Sequence, residues 1–172
     1  IDSSIQAVCL EMEKEKLDFC WLDFSINKYM EMGWHKKEAI KFIHSAFERY
    51  RPNKVGLILS LKYESMRASQ RQYAKLIEDP DIADCLFGLD LVGDEAYFDY
   101  EFYKPIFSDW NSANKMTRAH VAESQSAING FNAIVHLGVT NIATMNNIIH
   151  LLFSESFIYF IKYSFVFGVI LE

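Results

Sequence analysis

Apolar residues fall in compact runs separated by stretches of helical spacing, and the two patterns alternate along the chain. Lys54 to Tyr63 (KVGLILSLKY) is an almost unbroken apolar run, the mark of a strand covered on both faces. Asp18 to Ile26 (DFCWLDFSI), Cys85 to Val92, Met116 to Ala122 and Thr140 to Met145 read as further strands. The clearest helix is Lys37 to Tyr50, where Ile40, Ile43, Phe47 and Tyr50 line one stripe and Ala39, Phe42 and Ala46 widen it. Other helices are predicted over residues 2 to 16, Ser69 to Glu78 (ended by Pro80), Phe98 to Asn114 (interrupted near Pro105), Ser126 to Leu137 (ended near Gly138), and from Asn146 onward.

The order is a β-α unit repeated five times, with strands recurring about every 23 to 32 residues. That period fits a parallel sheet, either open and doubly wound or part of an eight-stranded barrel. No G-x-G-x-x-G follows any strand, which argues against a dinucleotide fold.

Composition narrows the class. Apolar residues make up 51% and charged residues 23% of the 172 positions, ordinary for a globular domain with a real core. The formal net charge is -6 without a basic stripe, which excludes a nucleic-acid backbone as partner. Cys9, Cys20 and Cys85 are odd in number and widely spaced, so they read as reduced thiols in an intracellular, cytoplasmic setting. The N-terminal segment has no initiator Met and a charged run from Glu11 to Lys16, and reads as lacking a signal peptide.

Two short segments hold the candidate chemistry. GLDLVGDE (Gly88 to Glu95) and TRAHVAES (Thr117 to Ser124) each read as a short strand ending in polar residues. Polar groups at the carboxyl ends of successive parallel strands are where barrel-type enzymes keep their sites. His120 and Glu123 form an H-x-x-E pair. An imidazole that holds a metal beside a carboxylate that moves protons is a sensible hydrolase arrangement. The plainer alternative is a hydrogen-bonded core histidine followed by a solvated acid. Gly93, lacking a Cβ, would let a ligand approach the backbone, or Gly93-Asp94-Glu95 is a turn leading into a helix. Asp23, Ser25, Lys62, Glu64 and Arg67 read as structural or solvated strand-end residues.

These segments resemble a known family. GLDLVGDE is similar to the I-D-L-A-G-D-E segment of adenosine deaminases, and TRAHVAES to the T-V-H-A-G-E segment one β-α unit later. NAIVHLGVTNIATMNN resembles the helix and strand that end in R-I-G-H-G. The likeness covers about Asp18 to Ile148. It implies a metal-dependent (β/α)₈ barrel, here partial with five or six parallel units, that hydrolyses the 6-amino group of adenosine to give inosine and ammonia. By resemblance His120 is a zinc ligand, Glu123 the proton donor to the purine ring, and Gly93 the contact to the ring edge. The implied cofactor is zinc and the implied partner a purine nucleoside.

The sequence also departs from the family. Ala122 replaces the glycine of H-A-G-E and is expected to crowd the loop. Thr144 stands in the place of the G-H-G histidine and cannot take up a proton at neutral pH, and His136 lies on the preceding helix. An H-x-H pair and a late aspartate strand are not found, the chain being expected to start after the first of these. Residues 154–172 form an atypical apolar tail. Fifteen residues from Phe157 to Leu171 are short for a membrane span and include Lys162, so a packed helix or strand is expected there, ahead of a membrane-associated segment or non-native coding sequence. Residues 1–153 would form the partial barrel. The expected product is a deaminase-like hydrolase with an incomplete zinc site, or a catalytically dead module binding a purine or a protein, with uncovered sheet edges open to self-association.

Overall fold

The computed structural model describes residues 2–65 and 67–143. Thr144, the helix expected from Asn146 and the tail at 154–172 lie outside the described residues, as does the boundary at 153. Five strands, β1 (Cys20–Phe24), β2 (Val55–Lys62), β3 (Gly88–Val92), β4 (Met116–His120) and β5 (Asn141–Ala143), pair in parallel in the order of the chain. A doubly wound sheet reverses its strand order part-way. This one does not, which settles the alternative left open by the sequence in favour of the barrel type.

The helices are α1 (Asp2–Lys14), α2 (Asn27–Glu31), α3 (Lys36–Tyr50), α4 (Arg67–Ala74), α5 (Pro80–Ala83), α6 (Tyr100–Ser112) and α7 (Ile128–Asn132). The stripe read on α3 is the buried one: Ala39, Ile40, Ile43, Ala46 and Phe47. Period-2 alternation then assigns the two faces of the sheet. Leu57, Leu59, Leu61, Leu89, Leu91, Thr117 and Ala119 are buried on the face that packs with the helices. The other face carries Asp23, Asp90, Arg118 and His120.

That second face is concave, for a simple reason of distance. Arg118 on β4 pairs with Asp23 on β1. Three strand spacings span about 14 Å in a flat sheet, with an axial offset besides. Two side chains close that gap only if the sheet curls around them.

Two sequence expectations change. Pro80 does not merely end the preceding helix: a 3₁₀ turn closes at Glu78, Asp79 caps the new helix by accepting from the Asp81 N–H at 3.1 Å, and Pro80 opens α5 at its first position. Proline suits that position because its missing N–H would have no intrahelical partner. Pro105 does not interrupt α6, which runs from Tyr100 to Ser112. Pro105 lies close enough to the start, capped by Asp99, that one backbone bond is lost, while Phe102, Tyr103, Ile106, Phe107 and Trp110 keep the helix packed. Among the described residues no helix is long and apolar enough to cross a membrane.

Candidate functional site

The two motif segments meet at the carboxyl end of the sheet through Glu95, which the sequence alone reads as part of a turn leading into a helix. Glu95 follows β3 and is only 3% exposed. Its carboxylate accepts from the backbone N–H groups of Ala122 (2.6 Å), Glu123, Ser124 and Gln125 (3.1 Å each), and from Asn129 Nδ2 at 2.9 Å. Burial raises the pKa of Glu95, but Asn129 and the backbone donors outweigh it, so the carboxyl sits below its ordinary range. The loop after β4 is thus wrapped around an anion supplied by the loop after β3. The signal was present in the acid at the end of G-D-E, but a dipole-favoured helix start was an equally good account of it.

Gly93 sits just before this tie with φ 104°. A Cβ there would stand 2.3 Å from Glu64 Oε2, and that carboxylate accepts from the Asp94 N–H at 3.2 Å. The turn therefore needs a glycine for its own geometry. Ala122 has φ 60° and is fully buried. This left-handed position is one that glycine takes without strain and alanine holds at a cost of about 1–2 kcal/mol.

His120 ends β4 and faces the concave side. Its Nε2 lies 3.1 Å from Asp90 Oδ2. The same oxygen accepts from Arg118 Nε at 2.8 Å and forms an ion pair with Nη2 at 2.7 Å, while Nη2 donates to Asp23. Asp90 is fully buried, and its Oδ1 has no hydrogen-bond partner among the described residues. The hydrogen bond His120 makes to the Asp90 carboxylate raises its pKa above the ordinary value, burial opposing and the Asp90 charge adding. Burial works against the Arg118 guanidinium, yet Asp90 and Asp23 hold it firmly charged. Tyr63, buried at the end of β2, donates to the His120 carbonyl at 2.8 Å and fixes the strand end.

The structure thus brings His120 together with Asp90, Arg118 and Asp23, three residues not counted as site residues from sequence. Glu123 lies three residues beyond His120 in the loop, exposed, its backbone held by Glu95. His136 stacks on Tyr100 with ring centroids 4.5 Å apart.

No family model and no curated protein matches the chain. Solved structures do. An adenine deaminase from Arthrobacter aurescens aligns with TM-score 0.71 and 12% identity over 87% of this chain and 46% of that one. An amidohydrolase from Burkholderia ambifaria with bound Zn aligns with TM-score 0.72 and 15% identity over 87% of this chain and 43% of that one. Arabidopsis ADAL complexed with GMP aligns with TM-score 0.64 and 13% identity over 91% and 48%. The fold is half of a (β/α)₈ barrel. The half-barrel spans a little under half the length of these structures, and at such low identity the likeness carries the fold alone. It falls on the same group of enzymes that the two motifs resemble.

Zinc is the group implied by the motif resemblance, and one of the similar structures holds it. A structural or catalytic zinc site takes three or four protein ligands. Among the described residues no group of three His, Cys, Asp or Glu side chains is placed to hold a metal. The ring nitrogen of His120 points to Asp90, and a guanidinium already lies between the carboxylates of Asp23 and Asp90. The residues in this arrangement do not fit a zinc ion.

Proposed function

We propose that this chain carries the purine-binding half of an adenosine deaminase-like aminohydrolase, and that in this form it binds a purine nucleoside or nucleotide without deaminating it. The observation that supports the reading is the Glu95 tie, which joins the G-D-E loop to the H-x-x-E loop at the carboxyl ends of adjacent strands. The exposed Glu64 carboxylate fills the place of a Cβ at Gly93, and the edge of a purine ring lies close to the Gly93 backbone once that side chain swings aside. Glu123, exposed on the adjoining loop, is the group to place a proton on a ring nitrogen. His120 is held in place by Asp90 and orients the polar edge of the ligand. Hydrolysis also needs an activated water, and in the Asp23–Asp90–Arg118–His120 cluster the imidazole Nε2 and one oxygen of each acid are already engaged with one another or with the guanidinium, while the remaining Asp90 oxygen is buried away from solvent. ADAL structures with GMP and IMP make purine nucleotides natural probes alongside adenosine.

Calorimetry with adenosine, inosine and GMP is expected to show binding, weakened by Glu123→Ala. A spectrophotometric assay with added zinc is expected to show no inosine. Absence of any heat would refute the binding reading. Inosine formation that His120→Ala abolishes would refute the loss of turnover.

The same half-barrel leaves an apolar surface on its inner side. Phe19, Trp21 and Phe87 are exposed, with ring centroids 5.9 Å apart for the Phe19–Phe87 and Trp21–Phe87 pairs. Patches of this kind and open strand edges promote association. Sedimentation of the purified chain is expected to show concentration-dependent self-association, and a clean monomer at all loadings would exclude it.

A further inference from the structure

The concave face holds two carboxylates and an imidazole around one guanidinium, and this arrangement has a consequence for metal binding. We propose that Arg118 occupies the place of a divalent cation between Asp23 and Asp90, and that this built-in charge closes the His120 site to metal. The inference rests on the functional reading above only in taking His120 as the residue a metal would seek.

Three observations carry it. First, Arg118 Nη2 is within hydrogen-bond reach of Asp23 Oδ2 and Asp90 Oδ2 together, so one cationic nitrogen bridges two acids, as a metal ion would. A guanidinium is suited to this, since its planar fork satisfies several carboxylate lone pairs at once. Second, the acids belong to β1 and β3 and the imidazole to β4, three separate strands whose side chains converge only because the sheet curls. Third, Asp90 Oδ1 is buried with no hydrogen-bond partner among the described residues. With the guanidinium in place Asp23, Asp90 and His120 are not placed as a metal-holding group; once it no longer ties the two acids to itself, their oxygens and the imidazole nitrogen are free to close on an ion, three donors being what a site with an open position needs. The T-V-H-A-G-E pattern has threonine two residues before its histidine, where this chain has Arg118.

The test is metal titration of the full 172-residue chain after chelator treatment, with Co²⁺ followed by its visible absorption and Zn²⁺ by calorimetry. The unmodified chain and Arg118→Lys, which keeps a cation, are expected to take up no metal at this site. Arg118→Ala is expected to take up one equivalent, and to lose it again when Asp90→Asn is added. Because Arg118→Ala leaves buried acids without their cation, its melting temperature is measured as well, and zinc is expected to raise it. Stoichiometric uptake by the unmodified chain that His120→Ala removes would overturn the inference. So would an Arg118→Ala chain whose metal content and melting are the same with and without zinc. Purine binding plays no part in this readout, so a chain that fails calorimetry yet switches as described refutes the functional reading alone.

Discussion

Asp90→Ala is expected to destabilise the protein by about 3–5 kcal/mol, the cost of breaking a buried ion pair from one side. Asp90 is fully buried, and its Oδ2 is hydrogen-bonded with Arg118 Nε and His120 Nε2 and ion-paired with Arg118 Nη2. Removing it leaves the guanidinium with Asp23 alone, at a side-chain exposure of only 15%, and leaves the imidazole without its partner. A domain of this size has about 5–15 kcal/mol of stability in total, so the loss is a large fraction. Urea denaturation measures it. A midpoint within about 0.5 kcal/mol of the unmodified protein, the range of ordinary surface substitutions, would mean that the cluster contributes nothing net. The double variant Asp90→Leu/Arg118→Met removes both charges and is expected to recover most of the loss, because buried ion pairs are often matched by apolar residues of similar volume.

Glu95→Ala is expected to cost about 3 kcal/mol, with a pH signature that identifies the cause. The carboxylate satisfies four successive backbone donors and one side-chain amide, and alanine strands all five. Glu95→Gln keeps the shape but offers one acceptor oxygen in place of two, and is expected to cost somewhat less. The sign of the pH effect follows from the depressed pKa. A carboxyl whose folded value lies below its unfolded one contributes stability in full above the ordinary glutamate value of 4.5, and that contribution is lost as pH falls through the folded value. The gap between the unmodified protein and Glu95→Gln should therefore be widest at neutral pH and shrink in acid. A gap that is constant across that range would show that protonation of Glu95 is not coupled to folding.

Much of the scaffold was legible in the pattern of apolar residues. The β2 run and the α3 stripe are read within a residue or two of their observed ends, because each is long and its period is unambiguous. The strand order was not legible, since periodicity gives the type of an element and not its neighbours. Pro105 misled for a related reason: the rule that proline ends helices is local, while five buried side chains on α6 act over the whole helix. The spacing singles out His120 and Glu123, and the structure places the first at the end of β4 and the second in the loop that follows, as the strand-then-loop pattern predicts. Asp90 was hidden because it sits inside an apolar strand, where alternation hides one inward acid among leucines. Arg118 and Asp23 become partners only when a flat string of strands bends. Glu95 was visible but ambiguous, because nothing local distinguishes an acid that starts a helix from one that anchors a loop 27 residues away.

Sequential strand order bears on how such a sheet is made. Among the described residues each strand pairs with the one before it, so this part of the sheet can grow unit by unit as the chain is synthesised. Arg118 and Asp23, 95 positions apart, break that local rule. Their pairing can close only after the fourth strand has docked, which makes it a late latch on an assembly that is otherwise built from near neighbours.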